Sequence, residues 1–391
     1  MTDEALTHPI RVVNEVKAQY EAGATVHVLS FGSHRQPNQP AYVRKVKHRY
    51  VRFGAQAGKF KALAADWPVY DWMTAPSIGR EIKAFRPDVV HVHNIYLFGG
   101  LSRALSQVNR PLVVLDLAEN IPEIMQSYDH VNQGWGRLLI QKARWKRREE
   151  AAMKYADFVV FVTQEAAGEA IARQAIDGSK VILMSNLVWP DSIGEEGAPP
   201  VLPDGDYALY FGDTGMRRGM RSMLEGFDIA AEQWPRLRLL VVGFNAREQN
   251  KLEALRSTLR HADRVHLEGF QPMSRLGHYL DRAVIGLCPI LRNVHHDTTH
   301  ANKLFQYLHA GLPMLVSDCP SQASLVTHAG VGAVHRAGDA RDFSRQVLSM
   351  LGDQDGMKRM SVCAVEAGRG EWTWPEAMQG YMEKVGSRMQ Q

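Results

Sequence analysis

The strongest constraint on the fold is a regular alternation of short apolar runs with longer amphipathic stretches. Runs rich in β-branched residues recur along the chain, among them "DVVHVHN" (88–94), "ADFVVFVT" (156–163) and "LRLLVVGF" (237–244). Helical patterns such as "IRVVNEVKAQYEAG" (10–23) fill the intervals. Strands and helices in alternation predict an α/β fold, with parallel sheets covered by helices on both faces.

The length of the chain and one interruption of this pattern predict two doubly wound domains. The 391 residues exceed the usual size of one domain. The stretch "DSIGEEGAPPVLPDGD" (191–206), rich in Gly, Pro and acidic residues, is typical of a linker. We therefore predict a first domain over 1–195 and a second over 203–371. A helix over 372–391 is expected to pack back on the first domain.

The first domain lacks the strand expected at its beginning. A doubly wound domain opens with a buried strand, whereas "MTDEALTHPIRVVNEV" (1–16) already has the pattern of a turn and a helix. Two explanations remain open: a start assigned too far downstream, which we favour, or an unusually built first domain.

Composition predicts a cytoplasmic protein. The three cysteines are far apart and form neither a disulfide framework nor a zinc-ligand spacing, which favours a reducing compartment. Residues 1–20 contain no apolar signal core, and no stretch is long enough to span a bilayer.

Two basic stretches in the N-terminal half contain no acidic residue, although the net charge is only +4. They cover 41–61 and 135–148, and such stretches attract anionic surfaces. No recognition motif accompanies the charge, so nucleic-acid binding is not predicted.

Projected as a helix, the second basic stretch places its apolar and basic residues on opposite faces. This predicts either a peripheral contact with the anionic inner face of the plasma membrane or an ordinary helix packed on the core. The residues expected to contact the membrane are Trp135, Arg144, Trp145, Arg147 and Arg148.

Two motifs in the second half predict an anion site. "YFGDTGMRRG" (210–219) is a strand, a glycine turn and a helix in succession, so backbone N–H groups can approach an anion. Its spacing is not G-x-G-x-x-G, so a dinucleotide fingerprint is not supported. "HANKLFQYLHAGLPMLVSD" (300–318) places Lys303 in the first turn of a helix, where a lysine opposes the helix dipole but suits a bound phosphate.

The order of these motifs resembles the retaining glycosyltransferases of family 4, which have the GT-B fold. The second half carries "YFGDTGMRRG", "LLVVGF", "VHLEGFQP", "LCPI" and "NKLFQYLHAGLPMLVSD". The first half fits through "VVHVHN", "DLAENIPEIM", "ADFVVFVTQEA" and "SNLVWP". The resemblance covers nearly the whole chain. It implies two Rossmann-like domains facing a central cleft, the first binding the acceptor and the second a nucleotide-diphosphate sugar.

The resemblance also implies the catalytic residues. Arg218 and Lys303 are expected to bind the donor diphosphate and to stabilise the charge that develops as it leaves. Glu119 is a third candidate, which either orients the acceptor or caps the next helix. Two cations and a helix end suffice to neutralise a diphosphate, so no metal or other cofactor is expected.

The remaining donor contacts follow from the resemblance as well. Gly269 and Phe270 correspond to the turn that reads the nucleobase, and Gln306 to the residue that binds the ribose. The family usually has glutamates at Thr298 and Gln306, and Gln306 keeps an acceptor oxygen but loses the charge. The full set is Gly212, Thr214, Gly215, Gly243, Gly269, Phe270, Thr298, Thr299, His300, Asn302 and Gln306.

The loop "HHDTTH" (295–300) also allows a metal site, because His296 and His300 are spaced i, i+4. We expect it instead to face the donor sugar, as in the family that it resembles; a plain surface loop is the third option.

On the acceptor side, the expected residues are His93, Asn94 and Asn120. Relatives often have a histidine near the reacting centre where this chain has Ala118. Because His91 and His93 alternate along a strand, we expect one to face the core and the other the cleft.

These features predict a hexosyl glycosyltransferase of polysaccharide biosynthesis. Its partners would be a nucleotide sugar and a glycan or lipid-linked acceptor at the inner membrane face. The departures at Ala118, Thr298 and Gln306 leave a non-catalytic partner or scaffold in glycan assembly as an alternative. A sugar-nucleotide epimerase of the same fold is a further alternative.

Overall fold

The computed structural model describes residues 1–2, 10–32, 45–53, 61, 63–64, 67–106, 110–124 and 140–390. The chain folds into two compact units. Unit 1 comprises Met1–Ser185 and Trp374–Gln391, and unit 2 comprises Asn186–Thr373.

Unit 1 is built on parallel strands. They are β1 His27–Gly32, β2 Lys47–Arg52, β3 Val89–His93, β4 Leu112–Leu117, β5 Phe158–Phe161 and β6 Val181–Leu183. Strands β3, β4, β5 and β6 form a four-stranded sheet in this order, and β1 pairs with β2. A strand was expected before β1. Among the described residues there, Thr2 makes a single parallel bridge to Ser30.

Strand β2 was not predicted, because its sequence "KHRYVR" lies inside the first basic stretch. Its lysine and both arginines are exposed, and the other three residues of the strand are half-buried. It pairs only with β1 in the described part of the chain, and an edge strand tolerates such charges.

Unit 2 is also built on parallel strands. They are β7 Asp206–Phe211, β8 Leu237–Phe244, β9 Val265–Gly269, β10 Ala283–Cys288, β11 Met314–Ser317 and β12 Gly332–His335. Their order in the sheet is β12-β11-β10-β7-β8-β9, so the chain runs outward from β7 on one side and then from β10 on the other. Ligands of such sheets bind at the carboxyl ends of the strands where the order reverses, here β7 and β10.

Helices cover these sheets. In unit 1 they are α1 Ile10–Glu21, α2 Val69–Phe85, α3 Phe98–Leu105, α4 Ile121–Ile124, α5 Lys142–Tyr155 and α6 Gln164–Ala172. In unit 2 they are α7 Met220–Gln233, α8 Ala246–Arg256, α9 Leu276–Leu280, α10 Val294–Asp297, α11 Asn302–His309, α12 Pro320–Ala329, α13 Ala340–Gly352 and α14 Gln354–Arg369. The last helix, α15 Trp374–Met389, returns to unit 1. The predicted α/β architecture with parallel sheets is confirmed in both units.

The segment predicted as a linker packs on unit 2. It contains the 3₁₀ turn Pro190–Ser192, and the Glu196 N–H donates to the Ser274 carbonyl at 2.7 Å. Helix α15 packs on unit 1, where Lys384 Nζ donates to the Val181 carbonyl at 2.6 Å.

Candidate functional site

The turn after β7 is shaped by two glycines. Gly212 follows the strand with a φ of +121°, and Gly243 at the end of β8 has a φ of +120°. A Cβ on Gly243 would lie 2.6 Å from the Gly212 carbonyl oxygen, closer than any side chain permits. Both positions therefore require glycine. The backbone at the end of β8 packs directly against the turn that follows β7.

Arg218 is held at the carboxyl ends of β7 and β10. It ends the 3₁₀ turn Met216–Arg218, and the next residue, Gly219, has a φ of +78°. A Cβ on Gly219 would lie 1.8 Å from the Pro289 carbonyl oxygen, so the turn is pressed against the chain that follows β10. This contact places the guanidinium at the point where the strand order reverses.

The carboxylate of Asp213 binds the groups of this turn that were predicted to bind an anion. Its carboxylate accepts the Gly215 N–H and the Arg218 Nε–H, both at 3.0 Å, and lies 3.6 Å from Arg217. Burial acts to raise the pKa of Asp213, but the hydrogen bonds from Gly215 and Arg218 outweigh it and the pKa is lowered. Sequence reasoning missed Asp213, although an Asp two residues before a glycine N–H is a known turn signal.

Lys303 is a buried cation beside Arg218. It lies in the first turn of α11 and is 9% exposed. Its Nζ lies 3.3 Å from the ring centre of Tyr210, a cation–π contact. Burial, with a smaller contribution from Arg218, lowers the pKa of Lys303 to about 7. Among the described residues, no carboxylate lies within 4.0 Å of this ammonium.

His296 positions Arg218. Its Nδ1 lies 2.7 Å from the Leu291 carbonyl oxygen, an acceptor, and 2.9 Å from Asn293 Nδ2, a donor. With the proton on Nδ1 and directed at the closer Leu291 oxygen, Nε2 is free to accept. That Nε2 lies 3.5 Å from Arg218 Nη1. Burial lowers the pKa of His296, which favours the neutral ring that this arrangement needs.

Two families match the sequence, and together they span most of it. Residues 10–186 match the family described as "Glycosyl transferase 4-like domain", and residues 205–353 match "Glycosyl transferases group 1". The chain belongs to the group 1 glycosyltransferases. No curated protein sequence matches it.

Solved structures show the same fold as this glycosyltransferase. Sucrose-phosphate synthase from Thermosynechococcus elongatus superimposes with a TM-score of 0.69 at 18% identity, covering 99% of this chain and 94% of that one. Anabaena HepE in complex with UDP superimposes with a TM-score of 0.71 at 12% identity, covering 99% of this chain and 98% of HepE. A glycosyltransferase from Rickettsia africae superimposes with a TM-score of 0.71 at 13% identity, covering 99% of this chain and 96% of that one. These likenesses confirm the predicted GT-B fold.

Several side chains predicted to contact the donor are engaged inside unit 2 of the glycosyltransferase. His300 packs edge-on against Phe305 and Trp372, and its Nε2 lies 3.1 Å from the Ser321 carbonyl oxygen. The Thr214 side chain is fully buried and its hydroxyl donates to Glu248 at 2.8 Å. These contacts favour structural roles for His300 and Thr214 over the predicted donor contacts.

Thr298 and Thr299 also bond to their own loop. The Thr298 hydroxyl donates to the Val294 carbonyl and the Thr299 hydroxyl to the His295 carbonyl, both at 2.8 Å. Each hydroxyl oxygen keeps its acceptor capacity. Their contact with the donor sugar stays a prediction.

The predicted ribose and base contacts lie near the carboxyl end of the unit 2 sheet. Gln306 is buried, and its Nε2 lies 3.2 Å from Met273 Sδ. Phe270, directly after Gly269, is 75% exposed and donates its N–H to the Phe244 carbonyl at 3.1 Å. Asn302 is exposed at the start of α11. The roles of these residues stay predictions.

In unit 1, Asn94 has an unusual backbone conformation at the carboxyl end of β3. Its φ is +60°, in a region that non-glycine residues seldom adopt, and its buried Oδ1 has no hydrogen-bond partner among the described residues. Such strain is often found at functional sites. Nearby, the Asn120 side chain accepts the Glu123 N–H at 3.3 Å and so caps α4, and the roles expected for Glu119 stay predictions. Glu119 is exposed.

The prediction that His91 and His93 face opposite sides is wrong, because residues two apart in a strand share one face. Their rings stack with centres 4.8 Å apart. His93 lies 2.9 Å from Asp116 and 3.4 Å from Glu15, and burial lowers the pKa of its imidazole to about 3. Both of its nitrogens face carboxylates inside unit 1, which favours a structural role over the predicted acceptor contact.

These four residues are close enough to hold a metal ion. The ligand atoms of Glu15, His91, His93 and Asp116 lie within 4.8 Å of one another, and no other such group occurs among the residues that the structure describes. However, Arg11 lies 2.9 Å from both Glu15 and Asp116 and already supplies a positive charge. The "HHDTTH" loop forms no such group, and metal independence stays a prediction.

The predicted membrane face of α5 is wrong for two residues. Trp145 is fully buried and faces the core with Glu149, Ala152 and Met153, four, seven and eight residues further on. Arg148 donates to Asp71 at 2.7 Å and is also turned inward. A buried tryptophan cannot lie among lipid headgroups.

The rest of the predicted membrane surface is untested. Arg144 and Arg147 are exposed on α5, and Trp135 lies outside the described residues. No helix in the described part of the chain is both long and apolar enough to cross a bilayer.

Proposed function

We propose that this group 1 glycosyltransferase transfers a hexosyl group from a nucleotide-diphosphate sugar, with retention of configuration and without a metal. The observation that carries the proposal is Lys303, a buried ammonium beside Arg218 that has no carboxylate partner among the described residues. Burying an unpaired cation is unfavourable, and a bound diphosphate would supply the missing anion.

In this proposal, the diphosphate oxygens accept hydrogen bonds from Lys303 Nζ and from the Arg218 guanidinium. The bond between the anomeric carbon and the diphosphate oxygen breaks, a bond to the acceptor oxygen forms, and the proton of the acceptor hydroxyl passes to the departing diphosphate. Negative charge grows on the diphosphate as it leaves, and two fixed cations stabilise that charge more than the ground state. His296 holds Arg218 in position for this step.

The donor class has support from HepE, whose structures contain UDP and UDP-glucose. We propose a nucleotide sugar as the donor and a glycan or lipid-linked sugar as the acceptor, presented at the inner face of the membrane. The only support for a contact with the membrane is the positive charge of the exposed Arg144 and Arg147.

The test is release of nucleoside diphosphate from a panel of UDP-, GDP- and ADP-sugars, in EDTA, with and without added acceptor. We expect one donor to be turned over in EDTA, and NMR of the product to show the anomeric configuration of the donor. Activity that requires Mg²⁺ or Mn²⁺ would contradict the metal-free part, and an inverted product would contradict retention.

One observation favours the non-catalytic alternative. Asp213 already pairs with Arg218, so a donor must displace that carboxylate before it can bind there. A chain that binds the donor yet releases no nucleoside diphosphate with any acceptor would be the scaffold.

A further inference from the structure

A group of polar side chains is buried between helix α1 and the four-stranded sheet of unit 1. His91 and His93 lie two apart on β3 and therefore share one face of the sheet. Asp116 lies opposite His93 on the neighbouring strand β4, and Glu15 reaches the same face from α1. The four side chains are at most 10% exposed. One helix and two strands thus bring residues that can bind a metal to one buried point.

The distances between these groups are those of ligands around a metal ion. Glu15 Oε2 lies 3.4 Å from His91 Nε2 and 3.4 Å from His93 Nε2. Two ligand atoms that each lie about 2.0–2.1 Å from a tetrahedral Zn²⁺ are about 3.3–3.4 Å apart. A hydrogen bond between a nitrogen and an oxygen atom is shorter, usually about 2.9–3.0 Å.

Two of these atoms also make no hydrogen bond within the part of the chain that the structure describes. They are Glu15 Oε2 and His91 Nε2, and both are buried. Burying polar atoms without a partner is unfavourable. A cation placed between them would supply the partner that both atoms lack.

Neighbouring groups leave the lone pairs of the two imidazoles free. His93 Nδ1 lies 2.9 Å from Asp116 Oδ2, so a proton on Nδ1 leaves the lone pair on Nε2. His91 Nδ1 lies 3.2 Å from the Tyr381 hydroxyl oxygen and 3.4 Å from Gln19 Nε2. With its proton on Nδ1 and directed at the closer Tyr381 oxygen, His91 also keeps its lone pair on Nε2. Histidines that bind metals usually donate their other N–H in this way.

Arg11 balances only one of the two carboxylates. Its Nε and Nη2 donate to Asp116 at 2.9 and 3.1 Å, and its Nε also lies 2.9 Å from Glu15 Oε1. One guanidinium against two carboxylates leaves these side chains with one negative charge. The guanidinium approaches Glu15 at Oε1, so Oε2 remains directed at the two histidines.

We propose that Glu15, His91 and His93 bind a Zn²⁺ ion that links α1 to β3. The ligand atoms are Glu15 Oε2, His91 Nε2 and His93 Nε2, and two histidines with one glutamate suit zinc. A cavity of about 540 Å³, whose lining includes all three ligands, has room for a water molecule as the fourth ligand. The ion belongs to unit 1, and the proposal is independent of the donor chemistry proposed for unit 2.

The test uses the full chain after its metal has been removed with a chelator. We expect titration calorimetry to show one Zn²⁺ bound per chain, and zinc to raise the midpoint of thermal unfolding. Glu15→Gln keeps the size of the side chain and removes its charge. We expect it to bind Zn²⁺ more than about a hundredfold more weakly, because losing a ligand costs more than losing the group that orients it.

The control is His328→Ala, which removes an exposed imidazole in unit 2 and should bind Zn²⁺ as the wild type does. If Glu15→Gln does not fold, His91→Gln makes the same comparison from the side of the sheet. Co²⁺ in place of Zn²⁺ reports the ligand atoms. Because the proposed ligands are nitrogen and oxygen atoms, we expect a Co²⁺ spectrum without a thiolate charge-transfer band.

Three results would each overturn the proposal. They are the lack of stoichiometric zinc binding by the wild type, a Co²⁺ spectrum with a thiolate band, and equal zinc affinity of the wild type and the ligand variant.

Discussion

The ammonium of Lys303 lies 3.3 Å from the ring centre of Tyr210, a residue at the end of a strand in the same unit. The aromatic face stabilises the cation in part, yet burial still lowers the pKa of Lys303 to about 7. The free protein therefore holds a lysine that loses its proton near neutral pH.

Donor binding is expected to take up a proton through Lys303. A diphosphate favours the charged form, so binding raises the pKa of Lys303 above its free value of about 7. At pH 8 the free lysine is mostly neutral and must be protonated in the complex, so donor affinity falls as pH rises above 7. Calorimetry at pH 8 in two buffers of different ionisation enthalpy measures the uptake.

The uptake should disappear in Lys303→Met, whereas Lys251→Met, an exposed lysine on α8, should keep it. Binding by the wild-type protein at pH 8 without proton uptake would contradict the assignment of Lys303.

Arg218→Ala is expected to lower kcat/KM about a hundredfold, or about 3 kcal/mol of transition-state stabilisation, as when one oxyanion donor is lost. The matched control is Arg217→Ala, because Arg217 is the adjacent arginine, is 53% exposed and lies 3.6 Å from the same Asp213. We expect Arg217→Ala to change kcat/KM by much less. Equal losses in the two variants would show that general charge, and not the position of Arg218, is what matters.

Asp213→Asn is expected to tighten donor binding, because the donor no longer competes with a carboxylate for Arg218. This pair is partly exposed, so it contributes at most about 1 kcal/mol and the dissociation constant should fall about two- to fivefold. Isothermal titration measures it, with Asp263→Asn, an exposed acid in unit 2, as the charge-matched control. Weaker binding in Asp213→Asn would mean that this carboxylate supports the site rather than blocks it.

Arg148→Glu is expected to destabilise unit 1 strongly. The Arg148 side chain is 12% exposed and donates to Asp71 and to the Ala64 carbonyl, so the change places two carboxylates together in the interior. Breaking such a pair costs about 3–5 kcal/mol in the free energy of unfolding. Urea unfolding measures it, with the exposed Arg147→Glu as control. Equal stability of the two variants would contradict an interior ion pair between Arg148 and Asp71.

The doubly substituted chain Arg144→Glu/Arg147→Glu tests the proposed membrane contact without touching the core. Each basic residue near an anionic bilayer contributes about 1 kcal/mol, so the wild type should sediment with anionic but not neutral vesicles, less so at high salt. The double variant should remain in solution. Binding that is independent of vesicle charge, or absent, would contradict a contact at this helix.

The alternation of apolar runs and helical patterns was enough to predict both α/β units, because burial on both faces of a parallel sheet leaves a local signature. Strand β2 escaped prediction because its basic residues suit an edge position, which is defined by what lies beside the strand rather than by its own pattern. The same distinction applies to α5. Its polar and apolar residues are local information, but which side meets the core was decided by packing against Asp71 and its neighbours.

The sequence by itself determined which residues are the candidates for binding an anion: Arg218 and Lys303 stand in motifs of a glycine turn and a helix start, and both lie at the carboxyl ends of β7 and β10. Only the tertiary structure decided the state of these groups. The pKa of Lys303, the pairing of Asp213 with Arg218 and the inward position of His93 all depend on desolvation and on charges from distant parts of the chain. Those energies arise from three-dimensional neighbours, which no local spacing of residues specifies.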